Sequence, residues 1–170
     1  ARDGHANPFH VTMAYAEAAR KLGAEISTSE PVIRVLAGGD RVYAVETPRR
    51  RIDCGAVVIA AGGQGKELVA GAGLDVPVYS ERHQILVTEP FEHCLDPMVL
   101  CFDDGTYWKQ TPHGSFLMGI GDPNEVKGHN NGSSWQFLDE MALKINRHMP
   151  RLSGARVVRQ GAADASFFQG

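Results

Sequence analysis

Ala56-Val57-Val58-Ile59-Ala60-Ala61-Gly62-Gly63-Gln64-Gly65 is an apolar run that closes on small residues and glycines. Unbroken apolar character over this length reads as a strand buried on both faces, the kind found in parallel α/β sheets. Glycines at its carboxyl end let a backbone or a ligand come close, and the helix expected from Lys66 to about Ala72 offers free N–H groups to an anion. Open α/β sheets bind ligands at that end of their strands. The segment points to a phosphate-bearing cofactor. A tight strand-to-helix turn without a ligand is the alternative reading.

The 170 residues suffice for one core or two small ones. Apolar content of 43% and charged content of 22% are ordinary for a globular protein. A net charge of −3 speaks against a nucleic-acid binder, and Arg49-Arg50-Arg51 is too short a basic cluster to reverse that. No apolar run approaches the roughly 20 residues of a membrane span. The N-terminal residues are polar, unlike a signal peptide. Cys54, Cys94 and Cys101 are odd in number and lack C-x-x-C spacing, so reduced thiols in a cytoplasmic protein are expected.

Outward from the opening segment, Asn7-Pro8 starts a helix whose face carries Val11, Ala14, Tyr15, Ala18 and Leu22, with Gly23 at its end. Ala24 to Ser27 reads as a short strand. A hairpin follows, Val32–Leu36 and Arg41–Thr47 about Gly38-Gly39-Asp40, with a third strand over Arg49–Cys54. Beyond Pro77 the texture becomes that of an antiparallel meander: Gln84–Thr88, Met98–Phe102, Thr106–Thr111 and Ser115–Gly121, separated by Gly- and Pro-containing turns. Ser133 and Gln136 form a capping box for a helix with Trp135, Leu138, Ala142 and Ile145 on one face, stopped by Pro150. Arg156–Gln160 reads as a last strand. Residues 161–170 show no pattern, and Phe167-Phe168 have no evident partner.

The seven histidines show no metal-ligand spacing, so no metal site is expected. G-x-S-x-G, Walker and G-x-G-x-x-G motifs are missing. On Thr106–Thr111, Tyr107, Lys109 and Thr111 alternate with Trp108 and Gln110, so one face presents a phenol, an ammonium and a hydroxyl. These could clamp a carboxylate. A solvated strand face with Lys109 snorkelling to water fits the same alternation. His83 and Gln84 are polar lining or edge residues.

In order, these pieces resemble the flavin-dependent amine and D-amino-acid oxidases, including glycine oxidase and sarcosine oxidase. The likeness rests on four segments: Asp3-Gly4-His5-Ala6-Asn7-Pro8 with Leu22-Gly23-Ala24; Pro31-Val32-Ile33 with Val45-Glu46-Thr47; Val57 to Gln64; and Pro77-Val78, Gln84 to Pro90 and Tyr107 to Gly121. The third is similar to the family's V-V-N-A-A-G-x-W, with Ile59 and Gln64 in place of Asn and Trp.

The resemblance implies an α+β fold. Residues 1–75 would be part of an FAD-binding domain with a hairpin excursion, 76–160 an antiparallel substrate domain, and 161–170 an unassigned tail. It implies FAD, with Val32 at the adenine and Ala60, Ala61, Gly62 and Gly63 near the pyrophosphate or ribityl chain. Tyr107, Lys109, Gln110 and His83 would face a small amino-acid or amine substrate, oxidised by hydride transfer to flavin. No catalytic acid or base is assigned. The family's glycine-rich pyrophosphate loop lies upstream of anything present, so the chain is expected to be an internal piece, inactive alone and partnered by the rest of the FAD domain. A homo- or hetero-oligomer stays open, as does the electron acceptor. A non-catalytic module of this fold and a flavoprotein acting on a hydroxy acid or polyol are the alternatives.

Overall fold

The computed structural model describes residues 4–168. The fold is α+β, and the chain divides after Val57 into two compact units. The change of texture near Asp75-Val76-Pro77 lies within the second unit.

In the first unit, Asn7 caps helix α1 (Pro8–Lys21) by accepting from the His10 N–H at 3.2 Å, and Pro8 occupies the first turn. Arg20 and Lys21 suit the negative end of the helix. Strands β1 (Arg34–Gly38), β2 (Arg41–Glu46) and β3 (Arg51–Asp53) pair antiparallel in that order. The hairpin turns at the expected glycines, and Val35 and Ala44 are buried. Residues 24–27, expected as a strand, join no ladder. Their polar groups serve the β2–β3 turn instead: Arg50 donates to Ser27 at 2.9 Å and to Glu25 at 3.3 Å.

Residues 56–61, which straddle the division between the units, join no ladder, and Val58 is exposed. The expected doubly buried strand is therefore not formed here. Such a strand needs a neighbour on each side, and none lies beside it among the described residues. A 3₁₀ turn (Gly62–Gln64) leads into the short helix α2 (Gly65–Ala70).

A five-stranded antiparallel sheet follows, built from β4 (Val78–Pro90), β5 (Val99–Leu100), β6 (Thr106–Gln110), β7 (Ser115–Ile120) and β8 (Val157–Phe168). Its order is β5-β6-β7-β4-β8, so β5 to β7 form the meander while β4 lies between β7 and β8.

The last strand corrects the reading of the tail: β8 pairs with β4 from Val157↔Thr88 to Phe168↔Val78, and Phe167 stacks on Tyr79 at 5.7 Å. Its alternation was hidden because, between Arg159 and Phe167, one face carries only Gly161, Ala163 and Ala165. The other face carries polar groups satisfied by loops. Asp164 accepts from His129 at 2.7 Å and from the Asn130 N–H at 3.0 Å, and Gln160 donates to Ser134 O at 2.7 Å.

Helix α3 (Trp135–His148) is capped by Ser134, one residue later than expected, whose hydroxyl accepts from the Phe137 N–H. Its buried stripe is Phe137, Met141 and Ile145, and Trp135 is 78% exposed. The two stripes share Ile145 and are adjacent on the helix, and Leu138 of the expected one is partly buried against the same core. That stripe meets Leu86, Trp108, Phe116, Met118 and Ile120 from one face of the sheet to form the core.

Candidate functional site

Because α3 covers one face of the sheet, strand register fixes what stands on the other. Directly paired residues point to the same side and successive residues to opposite sides. One row of the uncovered face runs Tyr107–Gly119–Ile85–Gly161 across β6, β7, β4 and β8. The next runs Lys109–Leu117–Val87–Arg159. His83, opposite Ala163, lies on the far side of the Tyr107 row. Ile85 is 39% exposed. The face is an apolar floor edged by a phenol, an imidazole and two cations.

The expected carboxylate clamp of Tyr107 and Lys109 is thus on one surface. Gly119 sets the height of the phenol, since a Cβ there would overlap the Tyr107 hydroxyl. Burial pushes the Tyr107 hydroxyl above its ordinary range, so at neutral pH it is a proton donor. Glycine at 119 is a packing requirement that the strand pattern did not single out.

Gln110 belongs elsewhere. It is buried on the α3 side, and its amide is consumed by the 91–95 loop. Oε1 accepts from the N–H groups of Cys94 (2.8 Å) and Leu95 (3.1 Å), while Nε2 donates to the carbonyls of Phe91, Glu92 and Gly114 (3.3, 3.1 and 3.0 Å). Strand parity separates it from Tyr107, and nothing is left for a substrate. His83 is on the open face, its ring 5.7 Å from Phe167, in an aromatic group with Tyr79 and Lys127, whose ammonium sits 3.9 Å over the Tyr79 ring.

The residues expected at the cofactor occur in both units. Val32 lines a cleft of about 320 Å³ with Glu25, Ser27, Glu30, Thr47, Arg50 and Ile52. Arg50 there is neutralised by Glu30, at 3.0 and 3.1 Å, and by Glu25. Hydrogen bonds from Arg50 and Thr47 hold the Glu30 carboxyl below its usual range. With its cation neutralised in this way, the cleft offers no free positive charge to a phosphate.

In the second unit, Ala60, Ala61 and Gly62 are exposed. Gly62 has φ +56°, which favours glycine. A Cβ on Gly62 would come within 2.9 Å of Ser166 Oγ, and one on Gly63 would overlap Ser80 Oγ. The two glycines thus let the turn sit on β8 and β4. Ala60, Ala61 and the free side of Gly62 remain open to a cofactor's approach, so the residues present fit part of an FAD site.

Residue spacing does not reveal one further group: Cys101, Asp104 and His148 bring ligand-type atoms within 4.8 Å of one another. The His148 ring donates to Asp104 at 2.8 Å and stacks on Trp108. That bond holds the Asp104 carboxyl well below its usual range. The Lys144 ammonium donates to the Asp104 carbonyl at 2.9 Å, so the cluster fastens α3 to the β5–β6 turn.

The sequence profile of the FAD dependent oxidoreductase family, designated DAO, matches residues 1–166. The chain belongs to this family. As a family member it is 30% identical to sarcosine oxidase subunit beta of Rhodobacter capsulatus over 94% of its own length and 38% of that subunit. It is 29% identical to a formaldehyde-forming 4-methylaminobutanoate oxidase of Paenarthrobacter nicotinovorans, over 97% of this chain and 21% of that one. Among solved structures, L-proline dehydrogenase from P. horikoshii superposes with a TM-score of 0.88 at 28% identity, covering 97% of this chain and 44% of that one. The chain therefore spans less than half the length of the relatives it matches. No helix among the described residues is long and apolar enough to cross a membrane.

Proposed function

We propose that the open sheet face is the substrate wall of an FAD-dependent oxidoreductase that oxidises the C–N bond of a small amino acid or amine. The observation that carries this reading is the pairing of a donor phenol and an ammonium on one face, over an apolar floor that a glycine keeps low. Ala60, Ala61 and Gly62 would hold part of FAD, which when bound supplies a two-electron acceptor for the substrate's C–H.

The chain's own residues bind and orient. Lys109 takes the carboxylate as a charge-assisted partner and Tyr107 donates to the same group, which fixes the carbon to be oxidised relative to the floor. A cation beside the substrate also disfavours its ammonium form. The neutral amine keeps the lone pair that must form the C=N bond as hydride leaves. Leu117, Val87 and Ile85 exclude water from the reacting carbon.

The relatives' greater length supports a site shared with residues outside these 170, so the chain alone is expected to purify without stoichiometric flavin, as its visible absorbance would report. The direct test uses the full-length, FAD-loaded protein mixed without oxygen with amino acids and N-methyl amines. Flavin bleaching is expected. Lys109→Met should weaken substrate binding by roughly 1.5–3 kcal/mol. Bleaching by 2-hydroxy acids and not by amines would overturn the proposed reaction, and unchanged kcat and KM in the variant would remove Lys109 from the wall.

A further inference from the structure

Arg159 is a second cation on the substrate face that no motif singles out. It occupies the same cross-sheet row as Lys109, with only Leu117 and Val87 between them. Three strand spacings separate the two Cα positions by about 14 Å, and both side chains are long and flexible.

The other cations fixed around this sheet have partners. Arg82 pairs with Glu125 at 3.0 Å, Arg156 with Glu89 at 2.8 Å and Lys144 with Glu140 at 2.8 Å, while Lys127 covers Tyr79. Among the described residues neither Lys109 nor Arg159 makes an ion pair. The one acid at a paired position on this face, Glu81, is opposite Ala165, six residues along β8 from Arg159. The row is thus an apolar strip with an uncompensated positive charge at each end.

We propose that Arg159 forms a distal anion subsite and that the substrate is an amine bearing two carboxylates joined by a short apolar spacer. Lys109 and Tyr107 take the carboxylate next to the reacting carbon, the spacer lies on Leu117 and Val87, and Arg159 takes the far carboxylate in a forked, two-point contact. A monocarboxylate of the same length leaves Arg159 unused. This assignment rests on the substrate-wall reading above and adds the class of acid.

The test measures binding and turnover separately in the full-length, FAD-loaded protein. Calorimetry compares glutarate with butyrate, and kcat/KM compares glutamate and N-methylglutamate with norvaline and N-methylnorvaline. The wild type should favour the diacid by about tenfold or more in both assays, the worth of one charge-assisted contact. Arg159→Met should abolish that preference and leave the monoacids unchanged, while Arg159→Lys should restore part of it. Equal affinity for glutarate and butyrate in the wild type, or an Arg159→Met variant that weakens both acids alike, overturns the subsite. Preferential glutarate binding without oxidation of any amine would overturn the proposed reaction and leave the anion subsite standing.

Discussion

Replacing Gln110 by Leu separates a structural role from a substrate contact at a position where the family resemblance implied the latter. The side chain is 4% exposed, and removing its amide strands five backbone groups. Two of them lose little: Gly114 O also accepts from the Phe91 N–H at 3.1 Å, and the bond to Phe91 O is long at 3.3 Å. The N–H groups of Cys94 and Leu95 and the carbonyl of Glu92 lose their partner outright. At about 1 kcal/mol net per bond, partly recovered by water at the exposed Cys94 and Glu92, the cost is about 2–3 kcal/mol. For a protein of this size that lowers the melting temperature by about 4–12 °C. Hydrogen exchange should accelerate first at the amides of Cys94 and Leu95, because the 91–95 loop loses its anchor before the sheet opens. In the flavin-loaded protein KM should stay near the wild-type value at temperatures where the fold holds. A variant of unchanged stability and amide protection but raised KM would show that Gln110 contacts substrate and refute the assignment.

Gly119→Ala should dislodge the Tyr107 ring, at roughly the 1–3 kcal/mol of an overpacked site, and raise KM; thermal denaturation and kinetics with both properties unchanged would show that the phenol does not rest on β7. The Asp104–His148 bond predicts an acid-sensitive contact. Because Asp104 is depressed in the folded state, its contribution is complete above the usual carboxylate pKa near 4 and is lost as pH falls below it. Asp104→Asn should therefore be less stable than wild type at neutral pH and lose less on acidification, as paired urea titrations at pH 7 and pH 3 would reveal; parallel losses in the two proteins would count against the contact.

Local features of the fold were legible in the sequence because local chemistry sets them. The Asn7-Pro8 helix start, the Gly38-Gly39-Asp40 hairpin and the strands β6 and β7 with their Pro-Gly turn stand close to where the residues placed them. Properties that depend on distant partners were not legible. Residues 56–61 have the composition of a strand buried on both sides, but burial belongs to a strand and its neighbours, and these residues lie unpaired. β8 was unreadable because its open face is small between Arg159 and Phe167 and its other face mostly polar, so hydrophobic alternation vanished although the ladder is the longest in the unit among the described residues. Gln110 and Arg159 show the same limit at the site. Parity placed Gln110 opposite Tyr107, but the loop it serves is 15 to 19 residues away in the chain. Arg159 could not be set beside Lys109 without knowing that β4 lies between β7 and β8.

That strand order also changes what the glycines of the opening segment mean. Gly62 and Gly63 lack side chains because Ser166 and Ser80 lie under them, so their smallness is explained by the sheet before any ligand is considered. Ser80 Oγ is buried there without a hydrogen-bond partner, a cost a tight seat imposes. A glycine-rich turn is thus ambiguous evidence for a cofactor, since the backbone of a neighbouring strand and a pyrophosphate ask for the same absence of a side chain. The uncovered face is less ambiguous. Its phenol, its two ion-pair-free cations and its apolar floor come from four different strands, and no packing need of the sheet requires cations at both ends of one row. A small anionic molecule does, and it is on that face, not at the turn, that the chain's own chemistry is concentrated.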